Sequence, residues 1–192
     1  CESRRFDASE CRFGYRDSVF KHGDGPQWLI ASVRFGLSRR ADPRPGYGDI
    51  GAELQTRGID ASTATPPQIA EAVCAIRRRK LPDPALIGNA GSFFKNPVLP
   101  RRQAEALRQA HPDMPVYPAG DGHAKIAAAW LIEHCGWKGF RDGDAGVHPQ
   151  HALVLVNYGH ARGAELLALA RRIQDSVRQR FGVAIEPEPR VI

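Results

Sequence analysis

The sequence predicts an α+β protein, on three observations. Apolar residues recur at helical spacing in several stretches. They alternate at strand spacing in others. The two kinds of stretch do not follow one another in the regular strand–helix order that builds a parallel sheet. With 192 residues, 42% of them hydrophobic, the chain can bury one sizeable core, or one domain and part of another.

Taken in order, a short helix or turn is expected around Ser9–Tyr15. A strand follows at Trp28–Phe35, where Leu29, Ala31, Val33 and Phe35 alternate with Ile30, Ser32 and Arg34. Residues 38–65, rich in Gly, Pro, Asp and Arg, read as a long connection. Thr65 as N-cap, Pro66 at the first helical position and Gln68 three residues on start a helix. Ile69, Val73 and Ile76 line one face of it, and Arg77–Lys80 fill its last turn, where cations complement the helix dipole. Pro82 and Pro84 stop it and mark a candidate domain boundary. Then come a glycine-spaced segment at Gly88–Pro97, a helix near Arg101–Ala110 and an extended piece at Val116–Tyr117. A helix at Lys125–Cys135 with Ile126, Ala129 and Trp130 on one side, and a strand at Ala152–Asn157, follow. The longest helix runs from about Gly163 to Phe181, with Leu166, Ala170, Ile173, Val177 and Phe181 at helical spacing and Gly182 closing it. A final strand is expected over Val183–Ile192.

Composition narrows the function classes. Charged residues at 25% and scattered aromatics argue against disorder. No apolar run reaches the roughly 18 residues that span a bilayer, and no signal peptide is visible. The chain opens on Cys1 rather than methionine, as a fragment or processed chain would. Its four cysteines (1, 11, 74 and 135) form no C-x-x-C pair, which fits free thiols in a reducing, cytoplasmic setting. The net charge of +6 suits a small phosphorylated ligand. Apart from Arg77–Lys80, through which nucleic-acid binding is the rival reading, it is spread along the chain without a nucleic-acid-binding signature, so neither nucleic acid nor membrane is the expected partner.

Several motifs resolve into ordinary structure. Gly46-Tyr47-Gly48-Asp49-Ile50-Gly51 has the spacing of a dinucleotide fingerprint, but Asp42-Pro43-Arg44-Pro45 denies it the preceding strand, so a loop is expected. His148 and His151 gather no carboxylates, and Asp142-Gly143-Asp144 lacks the further oxygens of a calcium loop, so it reads as a turn and no metal site is expected. Two segments carry more chemistry. In Gly88–Pro97, two glycines allow close backbone approach while Ser92, Lys95 and Asn96 supply a hydroxyl, a cation and an amide. Read alone, it is equally a turn beside two core phenylalanines. In Glu186-Pro187-Glu188-Pro189-Arg190 the prolines hold Glu188 extended at a sheet edge. That suits an acid–base group and also a solvated edge strand.

Together these segments resemble the MurB family of UDP-N-acetylenolpyruvoylglucosamine reductases. The likeness rests on Gly91–Pro97 and Glu186–Arg190, and on Glu10–Ser18, Lys80–Pro84 and Ala152–Asn157. It spans nearly the whole chain, and the Tyr15 segment points to the branch with a tyrosine-bearing loop over the substrate.

The resemblance implies an enzyme that uses FAD and NADPH to reduce a UDP-sugar enolpyruvyl ether to UDP-N-acetylmuramate for peptidoglycan. It implies Ser92 as the proton donor and Glu188 as the group that stabilises the intermediate. A serine hydroxyl without a histidine partner is adequate, because the enolate-like species left by hydride addition is a strong carbon base. Lys80, Asn96, Tyr15 and Tyr117 match positions that hold or orient the substrate. His151 stands where a glutamine is expected. The implied organisation is residues 1–81 as the end of the flavin domain, 82–182 as the substrate domain and 183–192 as a returning strand bearing Glu188. Flavin-binding segments and a catalytic arginine would precede residue 1. The alternative is a non-catalytic nucleotide-sugar-binding module. A monomer is the expected state.

Overall fold

A computed structural model describes residues 2–39, 46, 48–120 and 122–189. These belong to two compact units, residues 1–42 and 43–192, each described by itself.

In the first unit, helix α1 (Ala8–Cys11) starts from a reciprocal cap. The Glu10 N–H donates to Asp7 Oδ1 at 2.8 Å and the Asp7 N–H to Glu10 Oε2 at 2.9 Å. Phe6 meets Phe20 and Trp28 edge-on at 5.1 and 5.2 Å between ring centroids. Gly25 is required beneath them, since a Cβ there would lie 2.1 Å from the Val19 carbonyl oxygen. Beyond Trp28 the expected strand does not form. Residues 28–38 have no regular structure, and Leu29, Val33, Phe35 and Leu37 are 91, 63, 75 and 85% exposed. The alternation is that of a strand, but among the described residues of this unit no second strand pairs with it.

The second unit begins with a helical pair. The connection expected over 38–65 contains helix α2 (Ile50–Thr56), which packs on α3 (Pro66–Lys80) around Leu54, Ala64 and Ala72. The α3 start behaves as its sequence requires, with the Thr65 N–H donating to Gln68 Oε1 at 2.8 Å. The loop expected at Gly46–Gly51 is therefore only partly a loop, because α2 starts inside it.

The remainder is built on two antiparallel sheets. In one, strands β1 (Gly88–Ser92), β5 (Arg141–Asp142), β6 (Ala145–Val147) and β7 (Val154–Asn157) lie in the order β1-β7-β6-β5. In the other, β2 (Val98–Pro100), β3 (Val116–Pro118) and β4 (His123–Ile126) lie in the order β2-β4-β3. Helices α4 (Arg101–Ala110), α5 (Ala128–His134) and α6 (Gly163–Phe181) accompany them. One apolar core runs through Phe94, Ile126, Leu131, Ile132, Val147, Leu155, Ile173, Val177 and Ile185. This is the α+β class the sequence predicts.

α6 forms over the predicted span and buries Ala170, Ile173, Val177 and Phe181. Gly182 ends it in the left-handed region at φ 65°. The helix expected at Lys125–Cys135 is shorter. Residues 123–126 are a strand, because Gly120 and Gly122, at φ 79° and 72°, let the chain turn back from β3 into β4. The shift in start changes the buried face to Ala128, Leu131 and Ile132. The predicted turn at 142–144 joins β5 and β6, a hairpin the sequence did not announce. The expected terminal strand reduces to one bridge, Phe94 to Pro187, since Pro187 and Pro189 have no N–H to extend a ladder. Residues 190–192 of that expectation lie outside the described residues.

Candidate active site

Ser92 ends β1 just after an irregularity. Asn89 pairs with Val156 and Ser92 with Val154, so three steps along β1 match two along β7, and one extra residue is accommodated. Gly91 takes it up at φ 72°, the left-handed position that a bulge reserves for glycine. Asn89 Oδ1 holds the loop by accepting the Gly91 N–H at 3.0 Å. A bulge turns the residues after it, so the aim of Ser92 is set here rather than by a regular pleat. Its hydroxyl makes no hydrogen bond among the described residues.

The next residues are held from both sides. The Phe93 N–H donates to the Leu153 carbonyl at 2.7 Å. On the other edge the Glu188 N–H donates to the Phe93 carbonyl at 2.7 Å, and the Lys95 N–H donates to the Glu186 carbonyl at 2.9 Å. The returning arm thus lies beside residues 93–95, with Glu188 opposite Phe93 and one residue from Ser92. Directly opposed residues of an antiparallel pair are about 5 Å apart. Phe93 and Phe94 are both buried, which explains the double phenylalanine as packing under the site.

The other predicted residues are placed as follows. Asn96 Oδ1 accepts the Ala128 N–H at 2.9 Å, satisfying a donor in the first turn of α5. Tyr117 on β3 is opposite Lys125 on β4, whose ammonium stands 5.9 Å from the tyrosine ring centroid. Lys80, the last residue of α3, pairs with Asp49 at the start of α2. Arg79 beside it pairs with Glu53 at 3.0 Å, so two of the four clustered cations already have carboxylate partners. Tyr15 lies in the first unit, in a tight turn bridged from Gly14 to Asp17.

His151 lies in the β6–β7 connection, where its Nδ1 accepts a long hydrogen bond from the Leu153 N–H at 3.4 Å. Burial holds its pKa below the usual imidazole value, and the charges of His148, Lys80 and Lys138 add to that effect. Lys80 and Lys138 therefore lie within electrostatic reach of His151. Sequence reasoning did not single out Lys138 or Lys125 as neighbours of predicted site residues, and paired His148 with His151 only to set aside a metal site. The one available signal was the glycine pair at 120 and 122, which marks the hairpin that brings Lys125 beside Tyr117. Among the described residues no group of three or more metal-ligating side chains converges.

Comparison with known proteins gives the chain a family. The profile of the UDP-N-acetylenolpyruvoylglucosamine reductase C-terminal domain matches residues 83–192, more than half of the chain. The chain belongs to this reductase family. A UDP-N-acetylenolpyruvoylglucosamine reductase of Chromobacterium violaceum is 58% identical over 191 residues, covering 100% of this chain and 55% of that protein. Those of Pseudomonas aeruginosa and Xylella fastidiosa are 57% and 58% identical, covering 54% and 53% of their own lengths. The chain therefore spans about half the length of the reductases it matches. No helix among the described residues is long and apolar enough to cross a membrane.

Proposed function

We propose that the longer protein to which this chain corresponds reduces UDP-N-acetylglucosamine enolpyruvate to UDP-N-acetylmuramate, with NADPH as electron source and FAD as carrier, for peptidoglycan synthesis. Family membership supports the reaction class. The observation that carries the site is the pair of hydrogen bonds joining residues 186–188 to 93–95, which sets Glu188 beside the Ser92 segment.

The segment at Gly48 offers a dinucleotide no cradle. The helix behind Gly48 has seven residues, and the Asp49 carboxylate stands at its start, where a pyrophosphate would need free amides. Holding FAD is assigned to the part of the longer protein outside this chain, and residues 1–81 are read as the end of that flavin domain. Residues 82–182 are read as the substrate domain and 183–192 as the returning arm.

When bound, the flavin supplies hydride to the terminal vinyl carbon of the substrate. Ser92 then donates its hydroxyl proton to the carbon bearing the ether oxygen. The electron pair of the enolate-like species forms the new C–H bond, and the serine oxygen regains a proton from solvent. A weak acid suffices if it lies within hydrogen-bond reach of that carbon. Glu188 stands at the substrate carboxylate and favours the charge that develops there. Lys80 meets the diphosphate as a point charge in exchange for Asp49. Asn96 keeps Oδ1 on α5 and offers its amide nitrogen, while Tyr117 covers the substrate.

In the full-length enzyme, Ser92→Ala should leave reduction of the flavin by NADPH intact. It should slow reoxidation by substrate on the order of 10²–10⁴-fold, the scale of a general acid. Stopped-flow traces at the flavin absorbance separate the two steps. Equal slowing of both would remove Ser92 from the role. A wild-type enzyme whose reduced flavin the enolpyruvyl substrate cannot reoxidise would overturn the reaction itself.

A further inference from the structure

Asn89 takes no step in the proposed reaction, yet its half-buried side chain makes more hydrogen bonds than any other in Gly88–Pro97. Its Oδ1 accepts the Gly91 N–H at 3.0 Å. Its Nδ2 donates to the Ile87 carbonyl at 2.9 Å and, over a longer 3.4 Å, to the Pro82 carbonyl. A primary amide offers an acceptor and two donors from one short side chain. Turned over, it would set its NH2 against the Gly91 N–H and its oxygen against two carbonyls. An aspartate would face those carbonyls with a charge. The surrounding backbone therefore selects asparagine at this position.

The partners of that amide lie in two parts of the candidate site. Pro82 follows Lys80, the last residue of α3, by two positions. Gly91 is the left-handed bulge residue directly before Ser92. Asn89 is itself anchored through its backbone, which pairs with Val156 on β7. One side chain thus joins the chain leaving Lys80 to the bulge that aims Ser92. Packing does not fix the bulge, since a Cβ built on Gly91 meets no atom within 4 Å. The Phe93 N–H, bonded to the Leu153 carbonyl, fixes the chain beyond Ser92, and the Asn89 amide fixes it before.

We propose that Asn89 is a positioning residue for Ser92, holding the Gly91 bulge in the turn that presents the Ser92 hydroxyl to the carbon it protonates. This rests on the reductase reading and on the part Ser92 has in it. Asn89 touches no reacting atom and acts through Ser92. Its loss therefore spares the reduction of flavin by NADPH, slows the half-reaction that consumes the proton, and has little left to slow once the hydroxyl is gone.

The test is a double-mutant cycle in the full-length enzyme, with each half-reaction followed at the flavin absorbance. Asn89→Ala should leave flavin reduction within about 2-fold of wild type and slow reoxidation by substrate about 10–100-fold, the scale on which a misplaced group loses rate. Asn89→Ala combined with Ser92→Ala should be reoxidised no more than about 3-fold slower than Ser92→Ala alone, because residues that act as a unit are not additive. Wild-type reoxidation in Asn89→Ala would overturn the proposal. So would equal slowing of both half-reactions, or a slowing that multiplies in full on that of Ser92→Ala, either of which makes Asn89 a packing residue. If Asn89→Ala does not fold, hydrogen exchange in the wild-type enzyme decides. The Gly91 amide should then be protected about 100-fold or more, and an unprotected Gly91 amide would overturn the proposal equally. Failure of the reductase reading has another signature: substrate leaves the wild-type flavin reduced, or Ser92→Ala alone slows both half-reactions alike.

Discussion

Residues 28–35 and 152–157 have the same kind of sequence, short β-branched and aliphatic runs bounded by turn formers, and opposite fates. Val154, Leu155 and Val156 are buried between β1 and β6 and under α6. Leu29, Val33 and Phe35 lie in the open with no ladder. The difference is not propensity, for Trp28–Phe35 alternates more regularly. A strand is a relation between segments, and β propensity reports mainly how well a side chain fits neighbours that must be supplied from elsewhere.

Charge substitution should break this symmetry most strongly. Val154→Asp sets a carboxylate in a fully buried, wholly apolar position and should cost about 4 kcal/mol or more, a large share of a domain's stability. Val33→Asp in the same chain should change stability by less than about 0.5 kcal/mol. Urea unfolding of the two variants measures both. Similar costs would mean that residue 33 is covered in solution.

A smaller effect separates the bulge from the strand that holds it. Gly91→Ala meets no atom within 4 Å, so its cost is conformational alone, about 1–2 kcal/mol for a left-handed residue. Because the bulge aims Ser92, the same variant in the full-length enzyme should slow substrate-driven flavin reoxidation more than flavin reduction. An effect on stability without that kinetic bias would show that the bulge serves packing only.

The smallest effect expected is in pH. His148 and His151, in the connection feeding β7, are both held below the usual imidazole pKa of 6.5, chiefly by burial. The folded chain therefore disfavours protons that the unfolded chain accepts. Their contribution to stability is complete above about pH 6.5 and is lost as pH falls through the folded values. His151→Gln should flatten the fall in urea midpoint between pH 7 and pH 5. An unchanged slope would place the effect elsewhere.

How much was legible from the residues follows the same logic. α3 and α6 were readable because caps and helical spacing are local: Thr65 and Gln68 start one, and Gly182 ends the other. The β2-β4-β3 sheet was not, because its strands have only three or four residues and its register depends on pairing across a turn. Of the candidate site, the Ser92 and Glu188 segments were visible as motifs, yet their adjacency arises from two hydrogen bonds between distant parts of the chain. The Lys80–Asp49 pair was invisible for the same reason, since Asp49 sits in what read as a loop.

Consider last the arm bearing Glu188. It comes after α6 in the chain, so synthesis delivers every strand of both sheets, and the whole of the longest helix, before the carboxyl arrives. A ribosome-bound chain can close its interior around Ile173 and Val177 while the edge at Phe93–Lys95 is still unpaired. That edge is then filled when a proline-stiffened arm is laid along Phe93–Lys95. In the growing polypeptide, shape would precede chemistry.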